Sequence, residues 1–197
     1  MTGNNQSPAR GCLFVVSGPS GVGKTVLCNK MIERFTPMLV YSISATTRAP
    51  RGGETNGQEY FFYSVDEFKN ALDNNLLAEW AIVHGNYYGT PKHFLEGNIS
   101  QGRHVLLNID VQGGMKILGQ YPEAIMIFLQ PPSFSVLEDR IRRRNTDSDE
   151  IVRKRLENAR SEMAFLSRYS FSIVNDDLVK AAHELEDILR KHIQSAS

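Results

Sequence analysis

Residues 18–25 have the sequence GPSGVGKT, which fits the phosphate-binding pattern G-x-x-x-x-G-K-[ST]. Glycines in such a loop let backbone N–H groups turn inward around phosphate oxygens without Cβ clashes. The apolar run Leu13–Ser17 predicts a buried strand before the loop, and the pattern of Lys24–Phe35 predicts a helix after it. The helix N-terminus adds a dipole that favours anions, so the turn is predicted to bind nucleotide phosphates.

Within this loop, Lys24 can reach the β- and γ-phosphates of ATP, and the Thr25 hydroxyl can ligate Mg²⁺. The alternative is a glycine-rich turn that only caps a helix. The residues predicted to bind ATP through the loop are Gly18, Pro19, Ser20, Gly21, Val22, Gly23, Lys24 and Thr25.

The apolar run HVLLNID at residues 104–110 ends in an acid, Asp110. A buried strand that ends in an acid is the Walker-B type of arrangement, which predicts that Asp110 lies near the metal. The alternative is an ordinary strand that ends in Asp at a turn.

The order of predicted elements indicates the fold class. Apolar strands at 13–17, 104–110, 124–129 and 171–175 alternate with helices at 24–35, 111–121, 135–144, 151–168 and 178–192. This alternation predicts an α/β fold with a P-loop parallel sheet core and helices on both faces. A further helix is predicted at 91–100.

The strand-dense region from about 41 to 90 does not fit that alternation. Strands are predicted at 40–44 and 60–64, a helix at 65–75, and one or two strands at 77–89. We therefore expect an inserted small mixed β-sheet, mostly antiparallel. The chain is otherwise predicted to be one domain at 11–191, with a flexible leader at 1–10 and a tail at 192–197.

Composition excludes several classes of protein. Lys plus Arg and Asp plus Glu both total 22. The zero net charge argues against non-specific nucleic-acid binding. No run approaches about 18 apolar residues, so no membrane span is predicted. The polar N-terminus has no apolar signal region and the two cysteines form no C-x-x-C motif, so we expect a cytoplasmic protein.

The stretch SATTRAPRGGETNGQEY at 44–60 carries two arginines, Arg48 and Arg51, in a loop that could pack little core. The planar fork of arginine suits bidentate binding of phosphate, and Tyr60 and Tyr88 could donate hydroxyl hydrogen bonds to the same group. These four side chains are predicted to clamp a monophosphate. The alternative is a solvated loop whose arginines pair with nearby acids, Glu54 and Glu59; once the clamp is accepted, these two acids are expected to form a solvated rim.

Several stretches together resemble one family. SGPSGVGKT, SATTRAPRGGETNGQEYFF, EWAIVHGNYYGT, IDVQG, RRRNTDSDE and IVNDDL are similar to the guanylate kinases of bacterial type, over residues 11–191. That family belongs to the P-loop nucleoside monophosphate kinases. The resemblance implies transfer of the γ-phosphoryl group of MgATP to GMP in purine metabolism, in line and without a covalent enzyme intermediate. Substrates would be ATP and GMP, with Mg²⁺ as cofactor; a monomer and a homodimer both stay open.

The resemblance also implies a GMP site in the insertion. Glu79 would accept hydrogen bonds from guanine N1–H and the 2-amino group, and the neighbouring Trp80 is expected to pack in the core. The GMP-binding residues implied are Ser44, Arg48, Arg51, Tyr60, Glu79, Tyr88, Thr90 and Asp110.

A lid is implied at about 136–168, with the core formed by about 11–40, 91–135 and 169–191. Arg144 and Arg155 would close onto the phosphates, and Arg140 would lie near the adenine of ATP. Asn175 would contact the adenine or shape its pocket. Catalytic roles are implied for Lys24, Arg48, Arg144 and Arg155.

Two positions depart from the family pattern, and two other functions compete. Asn108 stands where the family usually has an acid, which removes a negative charge near the expected metal. Asn145 replaces a usual glycine, and Asn tolerates a left-handed backbone. The competing functions are a non-catalytic module that binds phosphorylated peptides, and a kinase for another nucleoside monophosphate.

Overall fold

The computed structural model describes residues 9–83, 85–143 and 149–195. The strands are β1 Leu13–Ser17, β2 Leu39–Tyr41, β3 Ala45–Thr46, β4 Phe61–Phe62, β5 Leu77–Val83, β6 Asn86–Pro91, β7 His104–Asn108, β8 Ile125–Gln130 and β9 Phe171–Val174. The helices are α1 Lys24–Phe35, α2 Val65–Asp73, α3 Lys92–Ser100, α4 Val111–Gln120, α5 Phe134–Arg142, α6 Asp149–Met163 and α7 Leu178–Ser195, with a 3₁₀ turn at Leu166–Arg168.

The main sheet is parallel throughout, with strand order β2-β7-β1-β8-β9. Strand β1 is buried along its whole length, as expected for an apolar strand covered on both faces. One core cluster joins Leu27 of α1 and Leu185 of α7 to the sheet, and another joins Leu95 of α3 and Ile117 of α4. The predicted α/β fold with helices on both faces is confirmed.

The inserted sheet is also confirmed. Its order is β4-β3-β6-β5, with β3 parallel to β4 and the other pairs antiparallel. It has a core of its own, in which Phe68 of α2 is fully buried with Ala45 and Leu77. The Ser64 hydroxyl and the Glu67 carboxylate form a capping box that starts α2.

Among the predicted elements that are wrong in extent, two have a clear physical reason. The strand predicted at 40–44 ends at Tyr41, and a new strand begins at Ala45. The reason is that β2 pairs with β7 of the main sheet whereas β3 pairs with the second sheet, so residues 42–44 connect the two. The helix predicted at 151–168 ends at Met163, because Phe165 and Leu166 turn inward and pack against the main core.

The expected core position of Trp80 is wrong as well. Its side chain is 37% exposed. Strand β5 lies at the edge of the second sheet, and alternation along it buries Glu79 while Trp80 faces outward. The Trp80 ring packs beside Tyr87, with the Lys116 ammonium 5.2 Å from its centroid.

Helices α5 and α6 pack on each other through a small cluster that includes Leu137, Ile141 and Val152. Arg142 of α5 adds an ion pair to Asp149 of α6. The predicted turn at Asn145 lies outside the described residues. In the part of the chain that the structure describes, none of the helices has the length and apolar character needed to cross a membrane.

Replacing Phe68 by Ala should destabilise the chain, because it empties the centre of the small core in the inserted sheet. We expect the free energy of unfolding to fall by about 3–5 kcal/mol in urea titrations. Val65→Ala on the same helix is the control, since Val65 is 46% exposed and should change stability by less than about 0.5 kcal/mol. Equal losses in the two variants would contradict a separate packed core.

Candidate active site

The loop between β1 and α1 has the backbone geometry that its glycines permit. Gly18 has φ +143°, and a Cβ there would lie 2.2 Å from the Leu129 carbonyl oxygen. Gly23 has φ +103°, in the left-handed region. Lys24 begins α1, and its Nζ donates to the carbonyl oxygens of Gly18 and Pro19, at 2.5 and 3.1 Å. A cavity of about 160 Å³ is lined by Ser20, Gly21, Gly23, Lys24, Thr25 and Val26.

Asn175 supports this loop from below. Its side chain is 4% exposed, and its Nδ2 donates to the Val22 carbonyl oxygen at 2.7 Å. A Cβ on Gly23 would come within 2.5 Å of the same nitrogen. Of the two roles predicted for Asn175, this contact favours shaping the nucleotide pocket.

A second cavity, of about 380 Å³, lies between the main sheet and the inserted sheet. It opens at the carboxyl end of β7, where ligands of parallel α/β sheets usually bind. Its lining brings together residues that are far apart in sequence: Ser44, Tyr60, Glu79, Ala81, Val83, Tyr88, Gly89, Asn108, Ile109 and Asp110.

Glu79 is the buried acid of this cleft, with only 9% of its surface exposed. Its Oε1 accepts a hydrogen bond of 2.6 Å from the hydroxyl of Thr90, which is fully buried. Burial raises the pKa of the Glu79 carboxyl; the charge of Asp110 adds to this, while Thr90 and Lys116 oppose it. The ionised group can accept hydrogen bonds from a ligand that presents adjacent donors.

Arg48, Tyr60 and Tyr88 form one cluster at the edge of the cleft. The Arg48 guanidinium lies 5.3 Å from the centroid of the Tyr60 ring, and the Tyr60 and Tyr88 ring centroids are 6.0 Å apart. Arg48 Nη2 donates to both oxygens of Glu54, at 2.8 and 3.0 Å. The ion pair with Glu54, which the sequence analysis gave as the alternative to a phosphate clamp, therefore exists for Arg48.

The expectation that Glu54 belongs to a solvated rim is wrong. Its side chain is 18% exposed, and it also accepts a hydrogen bond of 2.7 Å from the Arg51 backbone amide. Arg48 first, and this amide second, lower the pKa of the Glu54 carboxyl. Glu59 is exposed and accepts from the Thr55 amide at 2.6 Å. Glu54 therefore stays ionised and holds Arg48 against the Tyr60 ring.

The remaining predicted arginines differ in their exposure. The Arg51 side chain is exposed on the loop, while Arg140 on α5 and Arg155 on α6 are half-buried. Arg144 lies outside the described residues. The structure therefore brings the P-loop, the base-reading candidates and Arg48 together.

Asn108 connects the two cavities, which the sequence did not predict. Its Nδ2 lies 3.1 Å from Thr25 Oγ1 and 2.9 Å from the Tyr41 hydroxyl, and it lines the second cavity. Asp110, two residues on, caps α4 by accepting from the Gly113 amide at 2.8 Å. The position that departs from the family pattern thus touches the proposed metal ligand Thr25 directly.

Glu162 is an acid that the sequence analysis did not single out. Its Oε2 is buried and has no hydrogen-bond partner among the described residues. It shares a cavity of about 300 Å³ with Asp110, and burial raises the pKa of its carboxyl while Lys24 opposes the shift. No local signal could have identified it, because one Glu on a charged helix has no distinguishing pattern.

The oxygen donors at this junction fit Mg²⁺. Among residues 9–83, 85–143 and 149–195, no three His, Cys, Asp or Glu side chains cluster closely enough to form a metal cage. Mg²⁺ with nucleotides does not need such a cage, because one or two carboxylates, waters and phosphates usually suffice. Thr25 supplies a hydroxyl and Asp110 a carboxylate. Glu162, whose Oε2 has no partner among the described residues, lines the same cavity as Asp110.

A P-loop beside a second polar cleft is typical of the P-loop phosphotransferases, which bind a donor nucleotide and its acceptor at separate sites. The family model for guanylate kinase matches residues 10–192. The guanylate kinase of Caldanaerobacter subterraneus subsp. tengcongensis is 46% identical over 154 residues, covering 78% of this chain and 74% of that protein. That of Bacillus subtilis (strain 168) is 45% identical over 154 residues, covering 78% and 76%.

A solved structure indicates the same family. The crystal structure of guanylate kinase from Anaplasma phagocytophilum is 32% identical with a TM-score of 0.72, covering 96% of this chain and 90% of that one. The chain belongs to the guanylate kinase family, which makes it an ATP:GMP phosphotransferase.

Replacing Asn175 by Ala should weaken the donor site. The change leaves the buried Val22 carbonyl without its partner, which costs about 1–3 kcal/mol of stability. We expect KM for ATP to rise while KM for GMP stays constant in steady-state assays. Asp176→Ala, at the exposed neighbouring position, should change neither constant. An unchanged KM for ATP in Asn175→Ala would contradict the supporting role.

Proposed function

We propose that the chain transfers the γ-phosphoryl group of Mg²⁺-bound ATP to GMP, giving ADP and GDP, with the two cavities as donor and acceptor sites. The observation that carries the proposal is the buried Glu79 carboxylate, bonded to Thr90 and facing a cleft beside the P-loop. We propose that the reaction belongs to purine nucleotide metabolism and takes place in the cytoplasm.

Glu79 provides the selectivity for guanine. Guanine offers N1–H and its 2-amino group as adjacent donors, whereas adenine has an acceptor at N1. A buried acid facing adenine would be left unpaired, and sites built on such hydrogen bonds reject the wrong partner by about 10⁴–10⁵. Ser44 lines the cleft and is proposed for the remaining polar edge of the base. Thr90 was predicted for the same edge, but it is fully buried behind Glu79, so we propose that it acts through its hydrogen bond to the Glu79 carboxylate.

The GMP phosphate is proposed to lie beside Tyr60 and Tyr88, with Arg48 and Arg51 as its cations. Glu54 restrains Arg48 before any substrate arrives, which lowers the entropy cost of ordering its side chain. Arg51 is exposed and would order on binding. The inserted sheet, residues 41–90, would then act as the GMP-binding region and 136–168 as the lid.

On the donor side, the amides of residues 18–25 and the Lys24 ammonium are proposed to hold the ATP phosphates. Lys24 must leave the carbonyl oxygens of Gly18 and Pro19 to do so. Mg²⁺, held by Thr25 and Asp110, would supply charge neutralisation when bound. Arg144 and Arg155 would add positive charge, and Arg140 would approach the adenine, as the lid closes.

The reaction requires alignment of the two substrates and no covalent intermediate with the enzyme. A GMP phosphate oxygen forms a bond to the γ-phosphorus as the bond to the bridging oxygen of ADP breaks, with the two oxygens in line. The attacking oxygen is already anionic at neutral pH, so no general base is required. The protein contributes positioning and electrostatic stabilisation of the charge on the transferred group.

A coupled assay of ADP release with GMP, AMP, UMP and CMP, with and without Mg²⁺, tests the proposal. We expect Mg²⁺-dependent turnover with GMP and discrimination against AMP of roughly 10⁴. Equal rates on GMP and AMP would remove the role of Glu79. Binding of GMP without turnover would favour a non-catalytic binding module instead.

Replacing Glu79 by Gln should lower activity and raise stability at neutral pH. Loss of the charged acceptor should reduce kcat/KM for GMP by roughly 10- to 150-fold. The pKa of Glu79 is higher in the folded chain, so its contribution to stability is present below the unfolded pKa, about 4.3, and is lost as pH rises through the folded pKa.

The neutral Gln does not ionise. The free energy of unfolding of the variant, relative to that of the natural chain, should therefore increase from pH 4 to pH 8. Urea titrations at each pH measure this difference. Glu184→Gln, on the exposed side of α7, makes the same chemical change away from the site and should alter neither property. A stability difference independent of pH would contradict the burial effect.

A further inference from the structure

The first turn of α4 lies against the Glu79 carboxylate, and the residue at the contact is Gly113. A Cβ built on Gly113 would lie 3.2 Å from Glu79 Oε2 and 3.5 Å from Asp110 Oδ1. The first distance is shorter than about nine in ten real Cβ contacts, so the carboxylate would have to move by a few tenths of an ångström. The missing side chain of Gly113 thus provides the space that Glu79 occupies.

Glu79 has little freedom to make that move. Its other oxygen, Oε1, is held by the Thr90 hydroxyl at 2.6 Å. Its backbone is restricted as well, because Glu79 lies opposite Thr90 in the antiparallel ladder of β5 and β6. The carboxylate is therefore held between a hydroxyl on one side and the surface of α4 on the other.

Backbone conformation does not explain a glycine at 113. Gly113 does not have the positive φ that L-residues avoid, and it lies within a regular helix. Glycine in a helix interior costs about 0.8–1 kcal/mol relative to Ala. A Cβ on Gly119, near the other end of the same helix, would meet no atom within 4 Å. Crowding along the helix therefore depends on the face: position 119 is open, Gly114 faces the main core, where a Cβ would lie 2.6 Å from the Tyr169 hydroxyl, and Gly113 faces Glu79.

We propose that Gly113 is a positioning residue for guanine recognition. Its lack of a side chain lets the Glu79 carboxylate lie where its oxygens can meet guanine N1–H and the 2-amino group. Hydrogen bonds weaken steeply with poor geometry, so a small displacement should act mainly on GMP and little on ATP. This inference rests on the proposed function, since it assumes that Glu79 reads the base.

The test compares Gly113→Ala with Gly119→Ala, the same change on the same helix. Isothermal titration with GMP alone should show affinity about 10-fold weaker in Gly113→Ala, equivalent to a lost or strained hydrogen bond. The ratio of kcat/KM for GMP over AMP should fall by a similar factor, with KM for ATP unchanged. Gly119→Ala should match the natural chain in all three measurements.

Thermal unfolding separates positioning from general damage. Gly113→Ala should melt no lower than the natural chain, because the gain in helix propensity offsets local crowding. A lower melting temperature with equal losses for GMP and ATP would show a structural role and overturn the inference. Equal GMP affinity in the two Ala variants would overturn it as well.

A double-mutant cycle provides an independent measurement. Glu79→Asp withdraws the carboxylate by one methylene, so Gly113→Ala should cost less GMP affinity in the Asp background than in the natural one. Equal costs in both backgrounds would contradict the steric contact. A natural chain that fails to prefer GMP would instead overturn the proposed function, so the two failures can be told apart.

Discussion

The parallel pairing of β1 with β7 is the constraint on which the site depends. In that register Val16 lies opposite Asn108, so the two strands end side by side at the same edge of the sheet. The P-loop continues from β1, and Asn108 and Asp110 follow from β7. The hydrogen bond from Asn108 to Thr25 spans this junction. The P-loop cavity and the cleft that contains Glu79 can therefore adjoin without any long loop to connect them.

The inserted sheet must also be held against this edge of the main sheet with Glu79 facing the cleft. Two long side chains of α4 do this by bonding to the backbone of β5: Lys116 Nζ to the Trp80 carbonyl oxygen and Gln120 Nε2 to that of Ala78, both at 2.6 Å. Because side chains alternate along a strand, fixing this register turns Glu79 toward the cleft and Trp80 outward. Helix α4 thus presents Asp110 at its start and aligns the strand that carries Glu79.

Patterns that depend on local chemistry were predictable from the sequence. The glycine loop, the apolar strands of the main sheet and the inserted sheet are all readable from spacing and turn residues. Other features depend on which strands pair. The edge position of β5 exposes Trp80, and the change of sheet at residues 42–44 breaks a run that reads as one strand. Nothing in the sequence distinguishes Glu54 from Glu59, or marks Glu162, because the exposure of each carboxylate is decided only when the chain folds.

Burying an acid beside another acid is costly, and the surroundings of Glu79 show how the fold tolerates it. Thr90 donates to one oxygen and Lys116 lies near enough to favour the charge, but burial and Asp110 still raise the pKa of Glu79. Such a group is stabilised less by the protein than it would be by water. A ligand with two adjacent donors supplies the missing hydrogen bonds, and a ligand without them leaves the charge buried and unpaired. In the proposed function, selectivity for guanine follows from the incomplete solvation of this one carboxylate.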